Sequence, residues 1–331
     1  MSYVLITAAG GGVGQSIIKC LEGSRYVLLA TDAEPLSAGL YTVHKAFKIP
    51  YASDPSYIEA LLTICEKEKC QLLFPGSDIE LYKISIHKDE FRQHGVTAVV
   101  SDPKVVEMCD DKYATYCFLI QNGFKAPNTI RLGSRDISEM KLPLVLKPMR
   151  GGSRSEGVFI VHTKTELDYR LLTIGKDNYV AQEYLEGDEY TCGTVSFDGK
   201  CHGCIVMRRI LRDGDTYKAF VVNEPMISDH VTAAAEKIKL FGPCNFQLKL
   251  KDGNPYIFEI NPRCSGTTYS RALAGFNEPL ITADYLMTGK TPSFLIRKIT
   301  ILRYWKELAV ENEKISNLSE KGYTEGGIGK L

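Results

Sequence analysis

Two short stretches in the second half of the chain hold residues of the kinds that handle phosphate and a divalent cation. Asn245-Phe246-Gln247-Leu248 and Tyr256-Ile257-Phe258-Glu259-Ile260-Asn261 both alternate with a period of two. Asn245 and Gln247 therefore share one face of a strand, and Glu259 and Asn261 share one face of another. The turn Lys251-Asp252-Gly253-Asn254 between them predicts a hairpin on which these oxygen donors converge. One carboxylate with side-chain carbonyls suits a hard, hydrated magnesium ion whose other ligands are phosphate oxygens. Arg263 follows across Pro262, positioned to reach an acidic substrate or a transferring phosphoryl group. A solvated strand end accounts for one such residue but hardly for the whole set.

Transfer of a γ-phosphoryl group also needs cations and backbone N–H donors around the phosphates. Lys147 closes the apolar strand Pro143-Leu144-Val145-Leu146, just before the glycine-rich turn from Arg150 to Gly157. Its ammonium would point where that turn can close; the alternative is a snorkelling surface lysine.

Two other glycine motifs compete for attention. Gly10-Gly11-Gly12-Val13-Gly14 follows a strand and opens a helix, and Asp32 ends the next strand, the context of a dinucleotide-binding turn. The spacing is off, because the pattern from Gly10 ends at Gln15, and a tight strand-to-helix turn explains the glycines better. An NAD-dependent reductase would rest on this cluster alone. Gly289-Lys290-Thr291 lacks the leading glycine of a phosphate loop, since position 284 is Asp, and Gly289 fits a C-cap of a helix over Leu280–Met287.

The elements that must position these residues follow from periodicity. Tyr3–Thr7, Tyr26–Thr31, Gln71–Phe74 and Thr97–Val100 read as strands, with helices starting near Gly14, Ser56 and Ile79, the signature of an open α/β sheet. Ser101-Asp102-Pro103 caps a helix, Asp110-Asp111-Lys112 begins another that Asn122-Gly123 stops, and a domain boundary falls near 110. Beyond it, Leu144–Lys147 and Val158–Val161 flank the glycine turn. A helix from Lys164 leads to strands at Tyr179–Tyr184, Tyr190–Phe197 and His202–Ile210, then a helix over Ser228–Leu240 and the hairpin above. Ile299–Val310 alternates like a returning strand, and the last dozen residues look like a frayed tail. No internal repeat is visible.

The chain has 331 residues, 44% of them hydrophobic, which is enough for two or three domains. Forty basic residues balance forty acidic ones, which argues against nucleic acid or a membrane surface as partner. No apolar stretch approaches a membrane span and the start lacks a leader pattern, so a cytoplasmic location is expected. Ten singly spaced cysteines suit reduced thiols. Cys201-His202-Gly203-Cys204 has metal-like spacing but no second pair to complete a zinc site.

Phe258-Glu259-Ile260-Asn261-Pro262-Arg263 resembles the E-x-N-P-R element of ATP-grasp enzymes, and Asn245-Phe246-Gln247 resembles the N-x-Q strand of carbamoyl-phosphate synthase large subunits. Asp111-Lys112-Tyr113, Leu146-Lys147-Pro148 with its glycine loop, and Gln182 through Tyr190 are similar, in order, to that family's first lysine, its phosphate strand and flap, and its adenine hinge. The resemblance covers roughly residues 1–290. It implies an α/β protein, with a Rossmann-like N-terminal sheet over 1–110 and an ATP-grasp fold of two α+β subdomains over 111–310. These are a small lid to about 184 and a larger part beyond, with 311–331 as a tail. It implies ATP and Mg2+, or Mn2+ in its place, as cofactors. Lys112 and Lys147 would hold phosphates under a flap at Gly151, Gly152 and Ser153. The backbone of Glu183, Tyr184 and Leu185 would meet adenine and Glu189 the ribose. Gln247, Glu259 and Asn261 would hold the metal, and Arg263 with Lys147 would act in catalysis. Arg209 and the turn at Gly11 and Gly12 are candidate contacts to the acceptor; Arg208, its neighbour on the strand, must face the other way.

The resemblance departs from a complete carbamoyl-phosphate synthase, which has two such halves where this chain has one. Three functions follow as expectations. The first is a ligase that activates a small carboxylate as an acyl phosphate, releases ADP, and joins the carboxylate to an amine, a homodimer being compatible with it. The second is a carbamoyl-phosphate synthase-like module acting on bicarbonate or carbamate with a partner amidotransferase or second half. The third is an ATP-binding regulatory protein without turnover.

Overall fold

The computed structural model describes residues 1–133, 137–152 and 155–325. The first region alternates strand and helix as its periodicity predicts: β1 (Ser2–Ile6), α1 (Gly12–Leu21), β2 (Tyr26–Asp32), β3 (Lys45–Lys48), α2 (Tyr57–Glu68), β4 (Cys70–Phe74), α3 (Asp78–Ile86), α4 (Lys88–Gln93) and β5 (Thr97–Ala98). The parallel strands lie in the order β3-β2-β1-β4-β5. Both faces are covered. Val4, Ile6, Leu28 and Leu72 pack with Ile17, Ile18 and Leu21 of α1, while Leu5, Leu29 and Leu73 pack with Leu61, Cys65, Leu81, Ile84 and Phe91 on the other side. The strand order reverses between β1 and β4, so the loops after these two strands flank a crevice at the carboxyl edge.

Next come α5 (Pro103–Asp110), α6 (Lys112–Gln121) and a small antiparallel sheet of β6 (Thr129–Arg131), β7 (Leu144–Pro148), β8 (Phe159–Val161) and β9 (Tyr179–Glu183), in the order β6-β9-β7-β8, with α7 (Lys164–Thr173) packed on it. The large antiparallel sheet holds β10 (Glu189–Phe197), β11 (Lys200–Arg212), β12 (Asp215–Val221), β13 (Gly242–Lys251), β14 (Asn254–Asn261) and β15 (Thr300–Leu302), in the order β14-β13-β10-β11-β12-β15. One face carries Cys192, Val206, Phe246, Leu248 and Ile260 against α8 (Pro225–Ile238). The opposite face carries the polar residues of the candidate site, and α9 (Thr268–Leu273) and α10 (Glu278–Thr288) follow β14 in the chain. Gly289 ends α10 in the left-handed conformation at φ 68°, as its spacing predicts.

Two expectations are corrected. The returning strand over Ile299–Val310 shortens to β15, whose register on β12 covers only Lys218–Phe220. Arg303 still bonds Tyr217 O and Thr216 O, and β12 turns away soon after, at Asp213-Gly214, before the alternation over 299–310 is used up. The tail expected over 311–331 instead holds α11 (Asn312–Lys321) and β16 (Tyr323–Glu325). Leu318 of α11 is fully buried in the first core, and β16 pairs antiparallel with β3, extending the N-terminal sheet. The helix is polar enough to pass for tail because Leu318 is its one buried residue.

Leu318→Ala is expected to cost about 2–5 kcal/mol of unfolding free energy, the range for a large-to-small change in a packed core. Urea denaturation checks it; a loss under about 1 kcal/mol would mean that the C-terminal helix is not docked.

Candidate functional site

In the hairpin β13–β14 the predicted turn pairs Lys251 with Asn254 and Leu248 with Ile257, and a bulge at Phe258 then shifts the register by one, so that Gln247 lies opposite Glu259 and Asn245 opposite Asn261. On β10, Thr191 lies opposite Gln247 and Gly193 opposite Asn245; Glu189 lies opposite both Lys249 and, on β11, Arg209. One sheet face thus gathers Glu189, Thr191, Arg209, Asn245, Gln247, Glu259 and Asn261. Asn261 Nδ2 donates to Glu259 Oε1 at 2.9 Å, and Arg209 Nη2 donates to Gln247 Oε1 at 2.8 Å. Arg209 also pairs with Glu189, through Nε at 3.0 Å and through Nη2. Arg208 turns to Asp188 and to the Phe220 ring, as the alternation requires.

The trio Gln247, Glu259 and Asn261 carries one formal charge, and no group of three His, Cys, Asp or Glu side chains able to hold a metal occurs among the described residues. Such a donor set fits a hydrated Mg2+ held largely by phosphate oxygens, and does not fit a tightly held resident ion.

The small sheet brings Lys147 across to this face. Its side chain is buried, with Nζ 3.3 Å from Phe258 O and 5.5 Å from the Phe258 ring centroid. Burial pushes its ammonium down to about 8; Glu259 and Glu189 oppose that shift and Lys112 adds to it. Lys112 opens α6, whose N-cap Asp111 accepts from Tyr113 N and Ala114 N at 2.9 Å. Lys112 Nζ donates to Gly151 O at 2.6 Å, and Lys112 N to Met149 O at 2.9 Å, so the lysine and the glycine turn meet. Gly151 and Gly152 have φ of 68° and 79°, a region that disfavours any residue with a Cβ. Ser153 lies outside the described residues.

The segment joining β9 to β10 is held by two lysines of β13. Lys251 pairs with Glu183, and Lys249 Nζ donates to Leu185 O at 2.8 Å while lying 5.2 Å from the Tyr184 ring centroid. Asn128 N and O bond the Glu183 side chain and N–H. Glu183, Tyr184 and Leu185 thus form a pinned crossing between the two sheets.

Arg263 faces the N-terminal region. Its Nε and Nη2 donate to Asp78 Oδ1 and Oδ2 at 2.7 and 2.6 Å, a bidentate pair that joins the two halves of the molecule. Burial raises the Asp78 carboxyl, but Arg263 and Lys112 more than offset this and hold it below the usual carboxylate range. Gly11 and Gly12 sit at the start of α1, and Ser16 Oγ of that helix donates to Gly266 O, three residues beyond Arg263. Asp32 is occupied by the turn itself, accepting from Gly10 N at 2.7 Å and Glu34 N at 2.9 Å. A Cβ on Gly14 would lie 2.4 Å from Ala8 O and one on Gly10 would lie 2.2 Å from Ser37 Oγ, so these two glycines serve close packing, whereas Gly12 borders open space.

Sequence reasoning missed Asp78 and a buried pair beneath the site. Asp78 had a signal: it follows β4, on the other side of the switch point from the glycine turn. Arg271 and Glu278 had none, since each lies in a helical segment and both are fully buried. Arg271 Nη1 donates to Glu278 at 2.7 Å, and Nη2 to Thr191 Oγ1 at 2.9 Å and to Asn245 Oδ1. A Cβ on Gly193 would come within 2.3 Å of Glu278 Oε1, so only glycine lets the strand lie this close. Burial pushes the Glu278 carboxyl up, against the pull of Arg271.

A family model described as "ATP-grasp in the biosynthetic pathway with Ter operon" matches residues 176–306, and one described as "PylC-like, N-terminal domain" matches residues 4–99. The carbamoyl phosphate synthase arginine-specific large chain of Geobacillus stearothermophilus is 24% identical over 270 residues, covering 74% of this chain and 24% of that one. The carbamoyl phosphate synthase large chain of Thermoplasma volcanium is 25% identical over 282 residues, covering 76% and 26%. The chain thus spans about a quarter of the length of these relatives. Among solved structures, an L-amino acid ligase from Bacillus licheniformis superposes with TM-score 0.69 at 18% identity, over 91% of this chain and 78% of that one. N5-carboxyaminoimidazole synthetase from Staphylococcus aureus, complexed with ADP, superposes with TM-score 0.71 at 15% identity, over 89% and 80%. The fold is shared with these proteins.

Glu278→Ala leaves the Arg271 cation buried without its partner, and an expected cost of about 3–5 kcal/mol follows. The double change Arg271→Met with Glu278→Leu should recover most of it, and urea denaturation of both variants decides whether the charge or the packing matters.

Proposed function

We propose, from the premise that the chain carries an ATP-grasp domain and is homologous to carbamoyl phosphate synthase large chains, that it is an ATP-dependent carboxylate–amine ligase. The observation that carries this reading is the convergence of Lys147, Arg209, Gln247, Glu259, Asn261 and Arg263 on one cleft where phosphate, metal and an acidic substrate would meet.

In this reading Lys112 and Lys147 bind the phosphates, and the glycine turn at Gly151 and Gly152 excludes water above them. The crossing at Glu183, Tyr184 and Leu185 receives the adenine, and Glu189 the ribose. Gln247, Glu259 and Asn261 hold Mg2+, which when bound offsets charge on the phosphates. Arg263 orients the substrate carboxylate for phosphorylation and steadies the negative charge that develops. Arg209, linked to both Glu189 and Gln247, belongs with the nucleotide end of the cleft rather than with the acceptor.

A carbamoyl-phosphate synthase-like module that phosphorylates bicarbonate or carbamate with a partner chain is the second reading. Identity to the synthase large chains over three quarters of this chain favours it. Bicarbonate therefore belongs in the substrate panel.

The deciding experiment measures ADP release from magnesium-ATP with small carboxylates, amino acids and bicarbonate. Turnover that needs both a carboxylate and an amine, and that falls by about a hundredfold or more in Glu259→Ala, is expected. ATP binding with no turnover on any acceptor would sink the ligase reading.

Lys147 adds a pH test. Its ammonium is charged below about 8 and lost above it in the free protein, while bound phosphate favours the charged form. Affinity for magnesium-ATP, read by calorimetry, should weaken by about fivefold between about pH 8 and about pH 9. Lys147→Arg, which stays charged, should flatten that profile.

A further inference from the structure

We infer that Asp78 receives the incoming amine as its ammonium cation, and that the carboxylate of Asp78, seated on Arg263 in the free protein, stands where the substrate carboxylate will sit. The inference rests on the ligase reading above and deepens it.

Asp78 meets Arg263 in the way a substrate carboxylate would: two oxygens on the Nε and Nη2 edge at 2.7 and 2.6 Å. Nη1 is engaged by Cys264 O at 3.0 Å, and Nη2 also reaches Asn261 Oδ1 at 3.3 Å. The remaining edge is therefore partly committed, and a carboxylate that takes Arg263 bidentately must displace Asp78. Displacement leaves an ionised acid beside the substrate carboxylate, within the field of Lys112 but without its hydrogen-bonded partner. An ammonium group restores the balance; once it has given a proton to solvent, the neutral amine attacks the activated carboxylate from that place, forming the C–N bond as the acyl C–O bond breaks and phosphate leaves.

The turn that carries Asp78 is braced for such a task. Gly76 N and Ser77 N donate to buried Glu80 at 2.8 and 3.0 Å, and Thr7 and Tyr57 hydroxyls donate to the same carboxylate. Ser77 caps α3, and Asp78 is its first residue, where the helix favours an anion. A Cβ on Gly76 would lie 2.0 Å from Thr7 O, so the turn is locked against β1. Added Cβ atoms on Gly12 and Gly266, which open α1 and follow Arg263, meet nothing within 4 Å, so both glycines border open space that the body of an amine would use on this inference. The other acids of the cleft are committed elsewhere, Glu189 to Arg209 and Glu259 to Asn261.

The test compares wild type with Asp78→Asn and Asp78→Glu, using the carboxylate and amine found in the substrate panel. Hydroxylamine serves as a second acceptor, because it is largely uncharged at neutral pH and traps the activated carboxylate as a hydroxamate. In Asp78→Asn the KM for the amine should rise about tenfold or more, the worth of one ion pair. The KM for the carboxylate should stay level or fall, and hydroxamate formation should stay within about threefold of wild type. Asp78→Glu should recover part of the amine affinity. Equal loss with amine and hydroxylamine, or a rise confined to the carboxylate KM, would reduce Asp78 to a structural tie and overturn the inference. A wild type that forms no hydroxamate from any carboxylate overturns the ligase reading and this inference together; normal hydroxamate with an unmoved amine KM overturns this inference alone.

Discussion

On the proposed reading the cations of the site neutralise phosphate charges, and they must be held in place when no phosphate is there; this chain gives each a local oxygen partner. Arg209 leans on Glu189, Arg263 on Asp78, and Lys112 on the Gly151 carbonyl. Lys147 has the weakest company, one carbonyl at 3.3 Å and carboxylates at longer range, and burial lowers its proton affinity accordingly. Arg209 and Arg263 are largely buried, so their carboxylate partners orient them and also offset the desolvation of the guanidinium, while Lys112 is more open to water. Arg271 and Glu278 are different: both are fully buried, and their mutual attraction must offset a large desolvation penalty. Their return is positional, because Arg271 fixes Thr191 and Asn245 beside the strand pair that carries Gln247 and Glu259.

The strands and their polar faces were legible because they are local. Alternation over Asn245–Gln247 and Glu259–Asn261 fixes which side chains of each strand share a face, and the Asp252-Gly253 turn fixes which strands pair; the turn's register alone would set Gln247 opposite Phe258, and a bulge at Phe258 that the sequence does not signal brings Glu259 and Asn261 onto the face of Asn245 and Gln247. The N-terminal sheet was legible for the same reason, each strand bracketed by turn residues. Failures came where a partner lies far along the chain. Asp78 and Arg263 are 185 residues apart, and nothing near either names the other. The C-terminal helix looked like a tail because composition hides the single buried Leu318, whose pocket is built from the first strands. The strand expected over Ile299–Val310 failed because alternation continues past the end of its neighbour; a strand needs a partner as well as a pattern.

The two parts of the molecule contribute unlike things to the crevice. The large sheet supplies side chains at a fixed period, rigid and directed, which suits groups whose charge and spacing must be constant. The N-terminal sheet supplies loop ends at its switch point, the turn at Gly11 and Gly12 and the turn at Gly76 through Asp78, which suits recognition of a substrate that differs from one relative to the next. On the proposed reading, nucleotide chemistry is written on the sheet and acceptor choice on the turns.

On the same proposed reading, the metal set follows the same division. Glu259 alone brings charge, while Gln247 and Asn261 bring neutral oxygens, so a divalent ion gains most of its binding energy from phosphate rather than from protein. In the free protein Asn261 is already engaged, donating to Glu259 and accepting from Arg263. An ion arriving on the nucleotide must therefore compete with Arg263 for the Asn261 oxygen. A shift there is felt by Arg263, and through it by Asp78, so the nucleotide end and the acceptor end of the cleft are linked through one short chain of hydrogen bonds.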